Sequence, residues 1–239
     1  MLDVEPQRFR VDRDGSRVTV SFDDGGMNLL SRDALEELGL LLNSVRTELL
    51  AGAGAVRVIV FQSTRPNLFA AGADMKEMSL FSGQEAERLA RLGQEAFRAL
   101  AELAAVTVAW IDGDCFGGAL DLAMAFDLRL ATARSRFSHP GARLGIVTGY
   151  GGTSRWRRLL DGPGARALLL GSEVLDAPAA LKMGLIDRIA EDLEVELLRL
   201  GQLDPPSVAL VKELTNKAQT LSQRDLALLA ERLGSLYGR

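Results

Sequence analysis

The sequence predicts an α/β protein with a largely parallel sheet, on three observations. Strand patterns and amphipathic helical patterns alternate through the first part of the chain. Two strand segments, VRVIVFQS and VTVAWIDG, are almost continuously apolar, as strands covered on both faces are. Each is followed by a turn of small residues, where parallel α/β sheets present their ligand sites.

The elements follow in order. Residues 17–22, RVTVSF, alternate as a half-buried strand does. SRDALEELGLLLNSVRTELLAG is a helix with Ser31 as N-cap and Gly52 near its stop. Residues 56–63, VRVIVFQS, form a buried strand, and 83–103, GQEAERLARLGQEAFRALAEL, an amphipathic helix. Residues 106–113, VTVAWIDG, form a second buried strand. A helix then starts at the glycine doublet of DGDCFGGALDLAMAF, and LRLAT (128–132) is the next strand. After Ala133 comes the glycine-rich loop HPGARLGIVTGYGGT, functional in character because it interrupts a compact domain. From Gly151 helices dominate, broken at DGPG and MGLID. QLDPPS (202–207) reads as a hinge before the helices VALVKELTNKAQ and RDLALLAERLGSLY. The division expected is an α/β core over 1–200 and a helical region over 201–239.

Composition narrows the function classes. The 239 residues are 47% hydrophobic and 25% charged, enough to bury a sizeable core. A net charge of −4 argues against general nucleic-acid binding. The basic stretch RWRRLLDGPGAR is either a solvated helix face or a phosphate contact. A single Cys115 excludes an internal disulfide framework and a cysteine-based zinc site, as befits a reducing compartment. MLDVEPQRFR lacks the apolar run of a signal peptide, and no stretch approaches the ~18 apolar residues of a membrane span. A cytoplasmic protein with no membrane partner is expected.

The chemistry is concentrated in the two small-residue turns, FAAGADMKEM (69–78) and DGDCFGGALDL (112–122). Turns without bulky Cβ groups expose backbone amides, and two such amides aimed at one oxygen make an oxyanion hole. Asp121 is three positions beyond Gly118, nearly one helical turn, so its carboxylate can lie on the face of the Gly118 amide. Competing motifs are absent: no G-x-G-x-x-G follows the first strand, no P-loop occurs, and there is no G-x-S-x-G elbow. One histidine and scattered acids give no metal-ligand spacing.

FAAGADMKEM, then IDGDCFGGALDLAMAFDLRLA, then FSHPGARLGIVTGYGGTSRW together resemble the crotonase (enoyl-CoA hydratase/isomerase) superfamily. GGMNLLS (25–31) resembles that family's asparagine segment, EVLDAPAALKMGLID its turn before the last core strand, and DPPSVALVKEL its C-terminal helical piece. The resemblance implies a spiral of repeated ββα units with a helical C-terminal trimerisation region, assembled as a homotrimer or a hexamer built as a dimer of trimers. It implies an acyl-CoA thioester as substrate, coenzyme A being part of that substrate and no separate cofactor being required. By position, the oxyanion donors would be the amides of Ala73 and Gly118, and the acid Asp121. Ala71, Asp74, Met75, Lys76 and Gly117 would line the CoA and acyl portions.

The chain departs from the family's two-glutamate pattern. The first glutamate position holds Asp121, one methylene shorter. The second, after Pro140, holds Gly141, and an alternative acid position holds Gly149. Glycine at 141 signals either a lost acid alone or a backbone angle that glutamate cannot adopt. Candidate substitutes are His139, otherwise a loop histidine bonded to backbone, and Tyr150, otherwise a packing residue. Asp121 itself is either the proton carrier or an acid that ties loops together at the helix start. Cys115 and Trp110 are expected to pack. A single acid suits double-bond isomerisation or decarboxylation of a malonyl-type thioester better than hydration, which needs a base and an acid. The alternative is a catalytically inactive acyl-CoA-binding or scaffolding member. A ClpP-like protease lacks a serine after the glycine doublet.

Overall fold

The computed structural model describes residues 8–50, 56–160 and 162–216. Two antiparallel strands, β1 (Phe9–Asp14) and β2 (Arg17–Phe22), open the fold, and β3 (Leu29–Leu30) leads into helix α1 (Arg32–Leu50). Ser31 caps α1 as expected, its Oγ accepting from the Ala34 amide at 3.2 Å. Gly52 lies outside the described residues. Next come β4 (Val58–Ser63), β5 (Leu68–Ala70), β6 (Gly72–Ala73), the one-turn helix α2 (Met75–Met78) and the long α3 (Gly83–Ala101). Ser82 and Glu85 form a reciprocal capping box at the start of α3.

The pattern repeats with β7 (Val106–Ile111), β8 (Asp114–Phe116) and α4 (Gly118–Ala123), then β9 (Leu128–Ala131) and β10 (Arg136–Ser138). A short 3₁₀ turn at Ala142–Leu144 is followed by α5 (Gly152–Leu159), α6 (Gly162–Gly171), β11 (Leu175–Asp176), α7 (Ala177–Met183), β12 (Arg188–Ile189), α8 (Leu193–Leu200) and α9 (Pro205–Asn216). Each turn of the spiral gives one strand to a six-stranded sheet, ordered β1-β2-β4-β7-β9-β12, and one to a smaller sheet, β11-β10-β8-β5 or β3-β6. Within the large sheet every pair after β1–β2 is parallel.

The continuous apolar runs have the reason expected of them. Ile59, Phe61, Ala109 and Ile111 face the main core, whereas Val58, Val60, Val106 and Val108 meet Leu197 and Leu200 of α8 on the opposite face. Cys115 is buried in the main core and Trp110 packs half-buried beside α8, as anticipated. A run of phenylalanines, Phe9 stacked on Phe22 at 4.5 Å and Phe61 tilted against Phe69 and Phe126, ties the N-terminal strands to the spiral. On the outer face, Lys212 of α9 reaches the Ala105 carbonyl and the Asp127 carboxylate at 2.8 and 2.6 Å. Burial draws the Lys212 ammonium below its ordinary pKa, against the pull of Asp127.

Two expectations change. Strand β1 was not anticipated, because FRVDRD carries three exposed polar residues at its end and pairs only along one edge. The hinge over 202–207 is shorter than expected: its prolines lie in the first turn of α9, where a missing N–H costs nothing, and Asp204 accepts from the Ser207 amide at 3.0 Å. RDLALLAERLGSLY lies outside the described residues.

Asn28 joins these layers. It is fully buried with φ +52°, and its amide nitrogen donates to Phe22 O, Ser63 Oγ and Phe69 O at 3.2, 2.8 and 3.1 Å. It thereby clamps the ends of β2, β4 and β5, and the adjacent Met27 carbonyl accepts the Ala71 amide at 3.0 Å. Asn28→Ala leaves buried carbonyls without their donor and puts alanine in the left-handed region. It is expected to lower stability by about 2–5 kcal/mol in urea unfolding; an unchanged midpoint would remove Asn28 as the clamp.

Candidate active site

The two small-residue turns do meet. Parallel pairing of β5 with β8, Ala70 opposite Cys115, brings residues 71–73 against residues 116–118. A Cβ on Gly72, at φ +99°, would lie 2.6 Å from the Phe116 carbonyl and 2.9 Å from the Gly118 nitrogen, so nothing but glycine lets the strands approach this closely. A Cβ on Gly118 would lie 3.4 Å from the Ala73 nitrogen. The amides of Ala73 and Gly118 are thus near neighbours, and the second belongs to the first turn of α4, where N–H groups have no intrahelical acceptor.

Between these turns, α3 and the 139–150 loop lies a cavity of about 260 Å³. Ala71, Ala73, Met75, Gly117, Gly118 and Asp121 line it, together with His139, Gly141, Gly149 and Tyr150. Asp74 and Lys76 are not in its wall. The Asp74 carboxylate caps α2, accepting from the amides of Lys76 and Glu77 at 2.9 and 3.0 Å, and Lys76 is exposed. Met78 and, from α3, Leu89 and Ala90 were not singled out from sequence, yet they supply much of the apolar wall. A larger groove of about 820 Å³ runs past Asp127 and Lys212 on the far side of the sheet. It contains neither turn, so the smaller cavity is the candidate site.

Asp121 is only 1% exposed. Trp156 Nε1–H donates to its Oδ1 at 3.0 Å, the Thr148 hydroxyl donates to its Oδ2, and His139 Nε2 stands 3.6 Å from the same Oδ2. Each arrives by a simple route. The register Ser138↔Phe116 between β10 and β8, with Gly117 N–H donating to Ser138 O at 2.8 Å, delivers His139 beside the start of α4. Gly152 and Trp156 are four residues apart on α5 and share a face. That face meets Asp121: Trp156 provides the donor and Gly152 provides the space. A Cβ at 152 would sit 1.9 Å from Asp121 Oδ1. Sequence reading passed over Thr148, Gly152 and Trp156, the last hidden in a basic stretch; the spacing G-x-x-x-W shows only that Gly152 and Trp156 share a helix face, not what that face meets.

His139 and Tyr150 are buried at 4% and 5% exposure. Among the described residues, His139 Nε2 and Tyr150 Oη are the buried side-chain polar atoms without a hydrogen-bond partner. The expectation that His139 would bond backbone therefore fails at Nε2; its imidazole instead meets the Trp156 ring edge-on at 5.4 Å. The Tyr150 ring lies against Gly93 and Gly118, where Cβ atoms would come within 2.3 and 2.9 Å of it, and edge-on to Phe97. Burial, then the charges of Asp121 and Glu77, push the Tyr150 phenol well above its ordinary pKa, so it stays a donor. Burial likewise raises the Cys115 thiol, which lies inert in the core.

Gly141 has φ −51° and ψ −51°, an ordinary right-handed conformation. No special backbone angle excludes glutamate there. The obstacle is steric: a Cβ would lie 2.9 Å from the Ile146 carbonyl and 3.2 Å from His139 Nδ1 and Cε1.

The family model for enoyl-CoA hydratase/isomerase matches residues 14–228. A crotonyl-CoA hydratase of Syntrophomonas wolfei subsp. wolfei is 32% identical over 222 residues, 88% of this chain and 82% of that protein. A short-chain-enoyl-CoA hydratase of Clostridium acetobutylicum is 30% identical over 169 residues, 71% of this chain and 63% of that protein, under two thirds of the relative's length. The crystal structure of an enoyl-CoA hydratase from Bacillus anthracis superposes with a TM-score of 0.87 over 98% of this chain and 92% of that one, at 24% identity, a likeness of fold. No helix among the described residues is long and apolar enough to cross a membrane.

Two substitutions test this wall without touching the amide turns. Trp156→Phe keeps an aromatic group but removes the donor to a buried carboxylate and part of the buried volume, and is expected to cost at least about 1–3 kcal/mol in chemical unfolding. Gly152→Ala drives a methyl group into Asp121 and is expected to cost about as much through overpacking. If both variants unfold like the parent, the Asp121 network described above is wrong. Gly141→Glu, for its part, is expected to lower the melting temperature rather than rebuild a second carboxylate.

Proposed function

The chain belongs to the enoyl-CoA hydratase/isomerase (crotonase) family, and from that we propose that it processes an acyl-CoA thioester through an enolate. The thioester oxygen is received by the amides of Ala73 and Gly118, and the proton is handled at Asp121. Removal of one such donor in comparable sites costs about 10²–10³-fold in rate, so paired amides are the largest single contribution asked of the fold. The observation that carries this reading is the approach of the two amide turns inside a cavity whose wall includes Asp121. The apolar side chains of Met75, Met78, Leu89 and Ile146 suit an acyl chain, and a water-poor wall strengthens hydrogen bonds to a developing oxyanion. The assembly is proposed, on family grounds, to be a trimer or a dimer of trimers built through the 201–239 region.

The test is turnover of crotonyl-CoA, a 3-enoyl-CoA and methylmalonyl-CoA by the purified protein. Asp121→Asn preserves shape and is expected to lower turnover by about 10²–10⁴-fold with little change in coenzyme A affinity. Unchanged turnover would reduce Asp121 to a structural acid. Calorimetry adds a binding readout: acetyl-CoA is expected to bind more tightly than its thioether analogue, which lacks the carbonyl. Equal affinities would remove the oxyanion hole and favour the inactive, acyl-CoA-binding alternative.

A further inference from the structure

Gly141 brings no side chain to the cavity wall, yet the space it leaves is not idle. A side chain at 141 would start 3.2 Å from the His139 imidazole. With glycine there, the ring occupies the cavity wall, with Nε2 unpartnered and 3.6 Å from Asp121 Oδ2. Buried polar atoms in proteins almost always have partners, and those that do not call for a functional explanation. His139 and Tyr150, whose Nε2 and Oη are the two such atoms among the described residues, both belong to the wall of one otherwise largely apolar cavity. An imidazole nitrogen can accept and a protonated phenol can donate, which is what holding one water molecule requires.

We propose that His139 is the second acid/base of this site, activating water for addition to a 2-enoyl-CoA while Asp121 protonates the α-carbon. This rests on the enolate reading above and deepens it to hydration. In the step, the water oxygen bonds to Cβ as His139 Nε2 takes one of its protons. The π pair of the Cα–Cβ bond moves into the thioester, forming the enolate that Ala73 and Gly118 receive. In the reacting form the one proton shared by His139 and Asp121 lies on Asp121; it passes to Cα, the carbonyl reforms, and the product is a 3-hydroxyacyl-CoA. The imidazolium of His139 then returns its proton to Asp121 Oδ2 across the short gap between them, and the pair again holds one proton. Trp156 and Thr148 are positioning residues here, holding the carboxylate where it can serve both partners.

The experiment compares hydration of crotonyl-CoA with isomerisation of a 3-enoyl-CoA, which moves a proton but adds no water. His139→Gln is expected to slow hydration by about 10²–10⁴-fold while isomerisation falls by far less; Asp121→Asn loses both. His139→Ala, checked for folding by its thermal transition, is expected to recover part of its hydration when imidazole is added, whereas His139→Gln is not. A wild-type protein that isomerises but never hydrates overturns the proposal. So does a His139→Gln protein that hydrates as fast as wild type, or a folded His139→Ala protein that imidazole cannot rescue. A wild-type protein inactive on both substrates overturns the proposal, and one inactive on methylmalonyl-CoA as well would overturn the enolate reading itself.

Discussion

A carboxylate withdrawn almost entirely from water must find its hydrogen bonds within the protein, and that requirement at Asp121 organises the cavity. Its oxygens take the indole N–H of Trp156 and the hydroxyl of Thr148. Those two residues belong to α5 and to the loop before it, so satisfying the charge also sets where that loop runs. Gly152 completes the arrangement by having no Cβ to collide with the carboxylate. Asp rather than Glu at 121 fits the same logic, since the shorter arm leaves the acid against the back wall, where these donors reach it.

Glycines elsewhere in the site act by what they omit. Gly72 lets the two amide turns approach, and Gly93 and Gly118 admit the Tyr150 ring between α3 and α4. Gly141 leaves room for the His139 imidazole. The consequence is a cavity that is mostly apolar in lining, with its polar atoms gathered at Asp121, His139, Tyr150 and the amide turns. In such surroundings each hydrogen bond is stronger than in water, and each unmet one is more costly.

The loop between β10 and α5 is anchored from several sides. Gln94 of α3 donates to Gly149 O at 2.6 Å, Arg155 donates to Tyr150 O at 2.8 Å, and Ile146 N–H closes back on Gly141 O at 2.8 Å. Ser172, at the end of α6, donates to the His139 carbonyl at 3.3 Å. A glycine-rich segment is thereby given a definite path without secondary structure of its own along most of its length.

Much of the fold was legible in the sequence, because periodicity and caps are local. The strand at 17–22, the capped helix after Ser31, the two-faced strands and the small-residue turns all depend on neighbours within a few positions. The assignment of Ala73, Gly118 and Asp121 to one site came instead from the family resemblance, beside the expectation that two turns at the ends of parallel strands meet. The edge strand β1 escaped because its exposed polar residues resemble a loop, and the hinge was overdrawn because prolines that start α9 also look like breakers. What only the tertiary structure decided is who meets Asp121. Thr148, Gly152, Trp156 and His139 lie 18 to 35 residues away along the chain, and strand register and helix packing bring them together. No local pattern encodes that meeting, because a hydrogen bond to a buried charge depends on a few tenths of an ångström in space and not on spacing in sequence.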